Sequence, residues 1–543
     1  MPYSSPFGDC PPETRSIHNV FLDQIDHVIK AHGGKKKVFI TADQPEDYVT
    51  YSQLRNDILA VSQFLHNRGF TRQTACAVMA NNHRFFTFAL GVSMQGGVLS
   101  GASALFIDYE LEQQIVDCQC TTILTDMKHL EKVQRVCRTN KRIKLIIVVD
   151  AKSALSHGIF SWTEVITTKP DVKRSPVPTE PDDVVLLPYS SGTTGTPKGV
   201  MLTHKNFTTM VKACTQARRM SGEKDRDRAD FSKEYMLIFL PIYHAYGIGL
   251  MCMVIEEAST AVVMSHFEPT LFLDSIQRYK ISTLGMVPPI LVFLAKHPLC
   301  AKYDLSSLIR IHSGGAPAGK DICDEYMRRY PNVTYIQQGY GMTELTMASH
   351  YSDAQSREKF GSVGKLVPGL QCKIVHIESG EELPTGQAGE LCVKGPTVML
   401  GYFNRPEATK ECIRDGWMHT GDIGYVDNDG DLFIVDRLKE LIKVKGLQVA
   451  PAELEDVLLS HPQVSDAAVI GVPDKAAGEL PKAYVVRADK NLTQEQVCEF
   501  ISEKVSSYKH LKGGVEFVDS IPKAPSGKIL RRELRDRHSK SKL

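Results

Sequence analysis

Short apolar runs recur along the chain, among them Val38-Phe39-Ile40, Thr122-Ile123-Leu124, Leu145-Ile146-Ile147-Val148-Val149 and Val184-Val185-Leu186-Leu187. Longer mixed segments of helical character separate them. Uninterrupted runs of this length suit strands buried on both faces, and their alternation with helices predicts α/β layers with largely parallel strands. Ile309-Arg310-Ile311-His312 leads into Ser313-Gly314-Gly315-Ala316-Pro317, and Thr334-Tyr335-Ile336 precedes Gln338-Gly339-Tyr340. The repeated strand–glycine–helix order opens several loops on one sheet edge, where such folds surround a ligand. Further on the pattern becomes α+β: residues 441–449 extended, 452–459 helical, 467–472 and 483–486 strands, 495–505 helical. This final stretch of about 100 residues has the size of a small domain.

Two uncharged stretches, 85–107 and 235–255, are long enough to span a membrane. Gln95-Gly96-Gly97 and Ser100-Gly101 interrupt the first, and Pro241 and His244 the second, so both are expected to be buried in protein. Asp427-Asn428-Asp429-Gly430-Asp431 has the acidic spacing of a calcium loop, but its glycine falls fourth rather than sixth. A hairpin turn with residues 432–435 as the return strand fits better.

A chain of 543 residues accommodates at least two domains with substantial cores, and 42% hydrophobic with 23% charged residues is ordinary globular composition. A net charge of +1 argues against nucleic acid or an anionic membrane as the main partner. The densest basic stretch, Arg531-Arg532-Glu533-Leu534-Arg535-Asp536-Arg537, reads as a solvated helix. Thirteen scattered cysteines, with no Cys-x-x-Cys or His-x-x-x-His pair, predict a reduced, intracellular chain without a sequence-encoded zinc motif. Cys118 and Cys120 read as buried thiols rather than ligands. The N-terminal residues lack the charged-then-apolar order of a secretory signal.

Chemistry concentrates in residues 188–200, Pro188-Tyr189-Ser190-Ser191-Gly192-Thr193-Thr194-Gly195-Thr196-Pro197-Lys198-Gly199-Val200. Glycines let the backbone approach an anion, hydroxyls and main-chain N–H groups donate to its oxygens, and Lys198 adds positive charge. The guest is a polyphosphate, and the preceding run 184–187 places the loop at a strand end. The Walker order is absent, because Lys198 follows Pro197 and precedes Gly199.

This string resembles the signature of the adenylate-forming superfamily, which includes acyl-CoA synthetases, 4-coumarate–CoA ligases, beetle luciferases and peptide-synthetase adenylation domains. Four further stretches resemble that family in order and spacing: Gln338-Gly339-Tyr340-Gly341-Met342-Thr343-Glu344; Gly416-Trp417-Met418-His419-Thr420-Gly421-Asp422; Val435-Asp436-Arg437-Leu438-Lys439 with Lys443-Val444-Lys445-Gly446; and Pro525-Ser526-Gly527-Lys528. The resemblance implies a large N-terminal domain, residues 1–436, with layered α/β sheets and a small barrel-like subdomain. A small mobile α+β domain, 437–543, would follow, with a hinge near 436–440 that includes Lys439.

The implied reaction is acid + ATP + CoA to acyl-CoA, AMP and pyrophosphate through an acyl-adenylate, the acid being a fatty acid or hydroxycinnamate. By resemblance, Ser190, Ser191, Gly192, Thr193, Thr194, Gly195, Thr196 and Lys198 hold the β- and γ-phosphates, with Gln338, Gly339 and Tyr340 around adenine. Thr343 contacts the α-phosphate, Glu344 binds Mg²⁺, and Asp422 and Arg437 meet the ribose. Lys528 would bridge carboxylate and α-phosphate. His244, Tyr246, Gly314, Gly315, Ala316 and Met347 would line the acyl pocket. After rotation of the small domain, Lys443, Lys445 and Gly446 would serve the CoA step.

A luciferase-type oxygenase is the neighbouring alternative, but Met347 stands where that branch has a small serine. A non-catalytic lipid sensor is the other, and the retained Lys198, Glu344, Asp422, Lys443 and Lys528 count against it. The last residues, Ser541-Lys542-Leu543, match the C-terminal address read by the peroxisomal import receptor, so peroxisomal localisation is expected.

Overall fold

The computed structural model describes the chain apart from residues 1, 139, 153–154, 156–157, 172, 191–196, 222–230, 317, 334, 354–355, 357–358, 439, 445–446, 475–476, 525–526 and 541–543. Two layered sheets carry the expected parallel strands. In one, Tyr335–Gln338, Arg310–Ser313, Thr283–Met286, Tyr235–Ile238, Thr260–Val263 and Lys37–Thr41 run parallel, and Gln44–Thr50 closes an edge antiparallel. In the other, Ile159–Ser161, Leu145–Val148, Thr122–Thr125, Thr74–Val78, Val98–Ala102 and Val184–Leu186 run parallel. Lys198–Thr203 then pairs antiparallel with Val184–Leu186, and carries Tyr189–Ser190 and Gly401–Tyr402 as its other antiparallel partners.

Helices fill the space between these layers. Phe21, Phe39 and Phe86 are fully buried there and meet edge to face at 5.6 and 5.9 Å, contacts contributing about 0.5–1.5 kcal/mol each beyond burial. The Ala245–Glu256 helix, from the second uncharged stretch, is buried on nearly every side, which accounts for its apolar composition. No described helix is long and apolar enough to cross a membrane.

A third, antiparallel sheet follows, built from Tyr3–Ser4, Gln371–Val375, Gly389–Lys394, Trp417–Val426, Ile413–Arg414 and Leu432–Arg437. The expected hairpin joins its Trp417–Val426 and Leu432–Arg437 strands. Lys359 Nζ sits amid the acidic turn, 2.6 Å from Asp427, 2.6 Å from Asp429 and 3.0 Å from Asp431, where an ammonium balances the carboxylates.

After Arg437 the strands belong to a separate sheet: Leu447–Val449, Ile442–Val444, Gly478–Arg487, Val464–Asp474 and Val515–Phe517. It has its own core, with Ile442, Leu454, Leu458, Val469, Val485 and Ile501 packed together. A mixed α/β fold with a large N-terminal and a smaller C-terminal domain is therefore borne out. The long hairpin of this domain exceeds the expected strands 467–472 and 483–486, because pairing continues through Pro473, Pro481 and the charged Glu479 and Lys482.

The 531–537 stretch is helical and exposed at Arg532, Glu533, Asp536 and Arg537, as expected, but one of its faces is not solvated. Arg531, Leu534 and His538 lie at i, i+3 and i+7 on the Arg531–Lys540 helix, and this face packs inward. Arg531 Nη2 donates to both oxygens of the buried Glu455 at 2.7 and 2.6 Å, while its Nε donates to Val469 C=O at 3.2 Å.

Candidate active site

The ends of the glycine-rich loop are pinned by strand pairing, Tyr189 to Gly199 and Ser190 to Lys198. Ser190 Oγ donates to Glu344 Oε1 at 2.7 Å, and Tyr402 O–H donates to the same oxygen at 2.9 Å. Lys198 Nζ lies 5.1 Å from the centre of the Tyr402 ring. Glu344, 4% exposed, sits on the Thr343–Leu345 turn. That turn is locked behind it: Thr346 adopts a left-handed φ of +64° while its hydroxyl donates to Thr397 C=O at 2.6 Å, and Met399 N–H donates to Glu344 C=O. The base of the anion loop thus borders a nearly buried carboxylate held by two hydroxyls, and oxygen ligands of this kind suit a hard divalent cation such as Mg²⁺.

On the antiparallel sheet, Cys392 pairs with His419 but Glu390 pairs with Ile423, so Thr420-Gly421-Asp422 protrudes as an irregularity in the Trp417–Val426 strand. Gly421 has φ +69°, its N–H donates to Glu390 Oε1 at 3.1 Å, and Thr420 Oγ1 donates to Leu391 C=O at 2.8 Å. The protrusion presents Asp422, 3% exposed. Tyr340 O–H donates to Asp422 Oδ2 at 2.5 Å, and Arg437 Nε lies 3.0 Å from Oδ1. Burial, then the Asp422 charge and hydrogen bond, push the Tyr340 phenol well above its ordinary range.

The C-terminal domain reaches this cluster. Ala524 N–H donates to Lys528 C=O and Gly527 N–H to Ala524 C=O, both at 2.8 Å, forming a tight turn with Gly527 at φ +80°. A Cβ at Gly527 would stand 3.3 Å from Val287 and Pro289 of the large domain, so the turn docks where the Pro288–Lys296 helix begins. Lys528 is thereby placed beside Arg437, Asp422, Glu440 and Glu344. Burial and the Arg437 charge lower its ammonium to about 8, against the opposing pull of the carboxylates. A second contact closes the interface: a Cβ at Gly319 would lie 3.1 Å from Asp456 Oδ1 on the Pro451–Leu459 helix. Burial, with Glu455 and Asp321 adding repulsion, raises the Asp456 carboxyl to about 7.

The Ala245–Glu256 helix carries the other wall. His244 caps its N-terminus without a side-chain cap bond, its ring 4.4 Å from that of Tyr243, and burial lowers it to about 4, so the imidazole is neutral at pH 7. Tyr246 stands over two glycines: a Cβ at Gly285 would lie 3.3 Å from its hydroxyl, and one at Gly314 3.5 Å from its ring. Gly315 has φ +84°, and Ala316 is half-buried in the same loop. Met347, at φ +122°, lays its sulfur against Gly249, where no side chain would fit unless the thioether moved. Gln338 braces the loop by accepting from Ala318 N–H at 3.0 Å, and Gly339 N–H donates to Ser313 C=O at 3.2 Å.

Residues 26–403 match the family model for the AMP-binding enzyme, and residues 453–528 that for the AMP-binding enzyme C-terminal domain. The chain belongs to the AMP-binding enzyme family. Among its relatives, 4-coumarate–CoA ligase 2 of Nicotiana tabacum is 42% identical over 90% of this chain and 89% of its own. 4-Coumarate–CoA ligase 1 of Petroselinum crispum is 39% identical over 97% and 94%. Among solved structures, ATP-bound MatB from Rhodopseudomonas palustris superposes with a TM-score of 0.83 at 26% identity, covering 95% of this chain and 99% of that one. o-Succinylbenzoate CoA synthetase from Bacillus subtilis, in complex with its acyl-adenylate intermediate, gives 0.78 at 26% identity over 96% and 99%. This AMP-binding enzyme is an AMP-forming acid–CoA ligase that works through an acyl-adenylate.

Within the AMP-binding enzyme, Ser190 and Tyr402 meet at Glu344, with Lys198 facing the Tyr402 ring, and Tyr340 and Arg437 meet at Asp422; Thr343 opens the turn that carries Glu344. Lys443 is not among the groups around Lys528: it is exposed on the Ile442–Val444 strand, its N–H donating to Glu479 at 2.8 Å. Ser191, Gly192, Thr193, Thr194, Gly195, Thr196, Lys439, Lys445, Gly446 and the Ser541-Lys542-Leu543 terminus lie outside the described residues. Sequence reading missed Tyr402, Glu390 and Asp456. For Tyr402 the available signal was a tyrosine at a buried strand position, where a phenol needs a partner; Glu390 and Asp456 act only through residues remote in sequence.

Proposed function

We propose that this ligase activates a hydroxycinnamate-type acid, with the arrangement described above serving the first half-reaction. The carrying observation is that Lys528 is buried within the field of Arg437, Asp422 and Glu344, where Arg437 is paired with Asp422. The names of the plant relatives support an aromatic acid.

In the first step a carboxylate oxygen attacks the α-phosphorus of ATP and pyrophosphate leaves. Two anions must meet, so the barrier is mainly electrostatic and positional. Lys198 and the loop hydroxyls hold the β- and γ-phosphates, Thr343 donates to the α-phosphate, and the Lys528 ammonium sits between carboxylate and phosphate. Asp422, acceptor-only when ionised, takes the ribose hydroxyls, with Arg437 alongside. Glu344 would hold Mg²⁺, which when bound supplies positive charge for the phosphate oxygens.

In the second step the CoA thiol attacks the acyl carbonyl and AMP leaves, the thiol proton passing to solvent or to the departing phosphate. Lys443 faces away in the closed arrangement, which supports a rotation of the C-terminal domain between steps. Pyrophosphate release and CoA-thioester formation across hydroxycinnamates and fatty acids of graded length test the reading. Preference for 4-hydroxycinnamates supports it, and selective turnover of fatty acids sinks it.

A further inference from the structure

Glu390, Cys392 and His419 bring one carboxylate, one thiol and one imidazole to a common point, the one such group among the described residues. Glu390 and Cys392 alternate on the Gly389–Lys394 strand and so share a face, and His419 is the cross-strand partner of Cys392. His419 Nδ1 lies 2.8 Å from Glu390 Oε2 and 3.3 Å from Cys392 Sγ. Those separations are within a few tenths of an ångström to half an ångström of what three ligands impose on a tetrahedral zinc, about 3.3 Å between N and O and about 3.5 Å between N and S for bonds near 2 Å.

We propose that Glu390, Cys392 and His419 form a binding site for a single zinc ion, with water as the fourth ligand. Nitrogen, thiolate and carboxylate together are the donor set this borderline-soft ion takes, whereas Mg²⁺ prefers oxygen alone. Cys392 is fully buried, while the His419 and Glu390 side chains are 15% and 12% exposed, so the ion and its water enter from the His–Glu side. Coordination breaks the Cys392 S–H bond, whose proton goes to solvent, and replaces the proton between His419 Nδ1 and Glu390, so that the imidazole carries its proton on Nε2 instead. Lys373 and Arg414 lie near the thiol, and their charges oppose a cation there.

Glu390 Oε2, the oxygen that faces His419, is the ligand, and Oε1 keeps the hydrogen bond it accepts from Gly421 N–H. An ion at this point therefore ties together the two strands at the foot of the protrusion that carries Asp422. The site is separate from the one around Glu344, and the proposal does not depend on which acid the enzyme activates.

The test titrates tag-free, chelator-stripped full-length enzyme with Co²⁺ and then displaces it with Zn²⁺, in the absence of ATP. The expected result is one Co²⁺ per chain with a thiolate-to-cobalt charge-transfer band in the near ultraviolet, abolished by one equivalent of Zn²⁺. The band should vanish in Cys392→Ser and fall at least tenfold in affinity in His419→Gln, while persisting in Cys118→Ser and Glu344→Gln. His419→Gln guards against misfolding of the buried cysteine variant, with circular dichroism verifying both folds. A folded wild-type chain without the band, or a band that survives in folded Cys392→Ser or binds equally well in His419→Gln, overturns the proposal.

Discussion

Ser190 and Glu344 are hydrogen-bonded, Oγ to Oε1 at 2.7 Å, across 154 positions of sequence. The contact joins the glycine-rich loop of one sheet to the turn that follows the last strand of the other, and Tyr402 completes it from a third segment. The carboxylate is thus oriented before any phosphate arrives.

Tyr402→Phe removes one donor to a nearly buried carboxylate and leaves the ring that faces Lys198. A hydrogen bond to a charged group contributes about 1.5–3 kcal/mol, so kcat/KM for ATP should fall about ten- to a hundredfold. Pyrophosphate release at graded ATP and Mg²⁺ measures this, and Glu344→Gln should be worse. Equal rates for Tyr402→Phe and wild type would show that the phenol does not hold Glu344 for catalysis.

Lys528 and Lys443 should separate the two half-reactions. Lys528→Ala is expected to lower acyl-adenylate formation by about a hundredfold or more, yet leave thioester formation from supplied acyl-adenylate nearly intact. Lys443→Ala should do the reverse. The two steps are assayed apart, by pyrophosphate exchange and by CoA-thioester formation from synthetic adenylate; parallel losses in either variant would exclude a domain that rotates between them.

Adenylation should weaken as pH rises for two reasons of the same sign that act in successive pH ranges. The Lys528 ammonium, lowered to about 8, is present below that pH and lost above it. Closure raises the Asp456 carboxyl from the ordinary carboxylate range to about 7, so closure onto Gly319 loses stability progressively from about pH 4 to about pH 7 and levels off above it. Asp456→Asn should therefore retain more adenylation at about pH 7 than at about pH 5 relative to wild type, while the alkaline limb set by Lys528 remains. An unchanged profile for Asp456→Asn would mean that this contact does not govern closure.

Met347→Ser removes the thioether that lies against Gly249 and opens the acyl side of the cleft. A pocket contact of this size is worth about 1–3 kcal/mol between competing substrates. The ratio of kcat/KM for a bulkier, ring-substituted cinnamate to that for 4-hydroxycinnamate should rise about tenfold. A constant ratio with both rates intact would place Met347 outside the acyl pocket.

The sequence by itself determined the chemistry of the local segments and their order. Glycines, hydroxyls and a lysine in 188–200 predict anion binding because backbone freedom and donor groups are properties of neighbouring residues. The apolar runs predict parallel layers because burial on both faces leaves no polar alternation. The chain's domain-sized α+β ending was legible for the same reason, although the face of the 531–540 helix was not: its charges hide Leu534 and the buried Arg531–Glu455 pair. Tertiary structure alone decided which remote groups meet. Strand register, with an irregularity between Glu390 and Cys392, sets Glu390 under Gly421 and Cys392 beside His419. Docking of the Gly527 turn on Val287 and Pro289 buries Lys528 next to Arg437, and that desolvation, not its place in a motif, lowers its pKa. Spacing along a chain carries no information about such pairs, because a contact between distant segments depends on how whole sheets and domains pack.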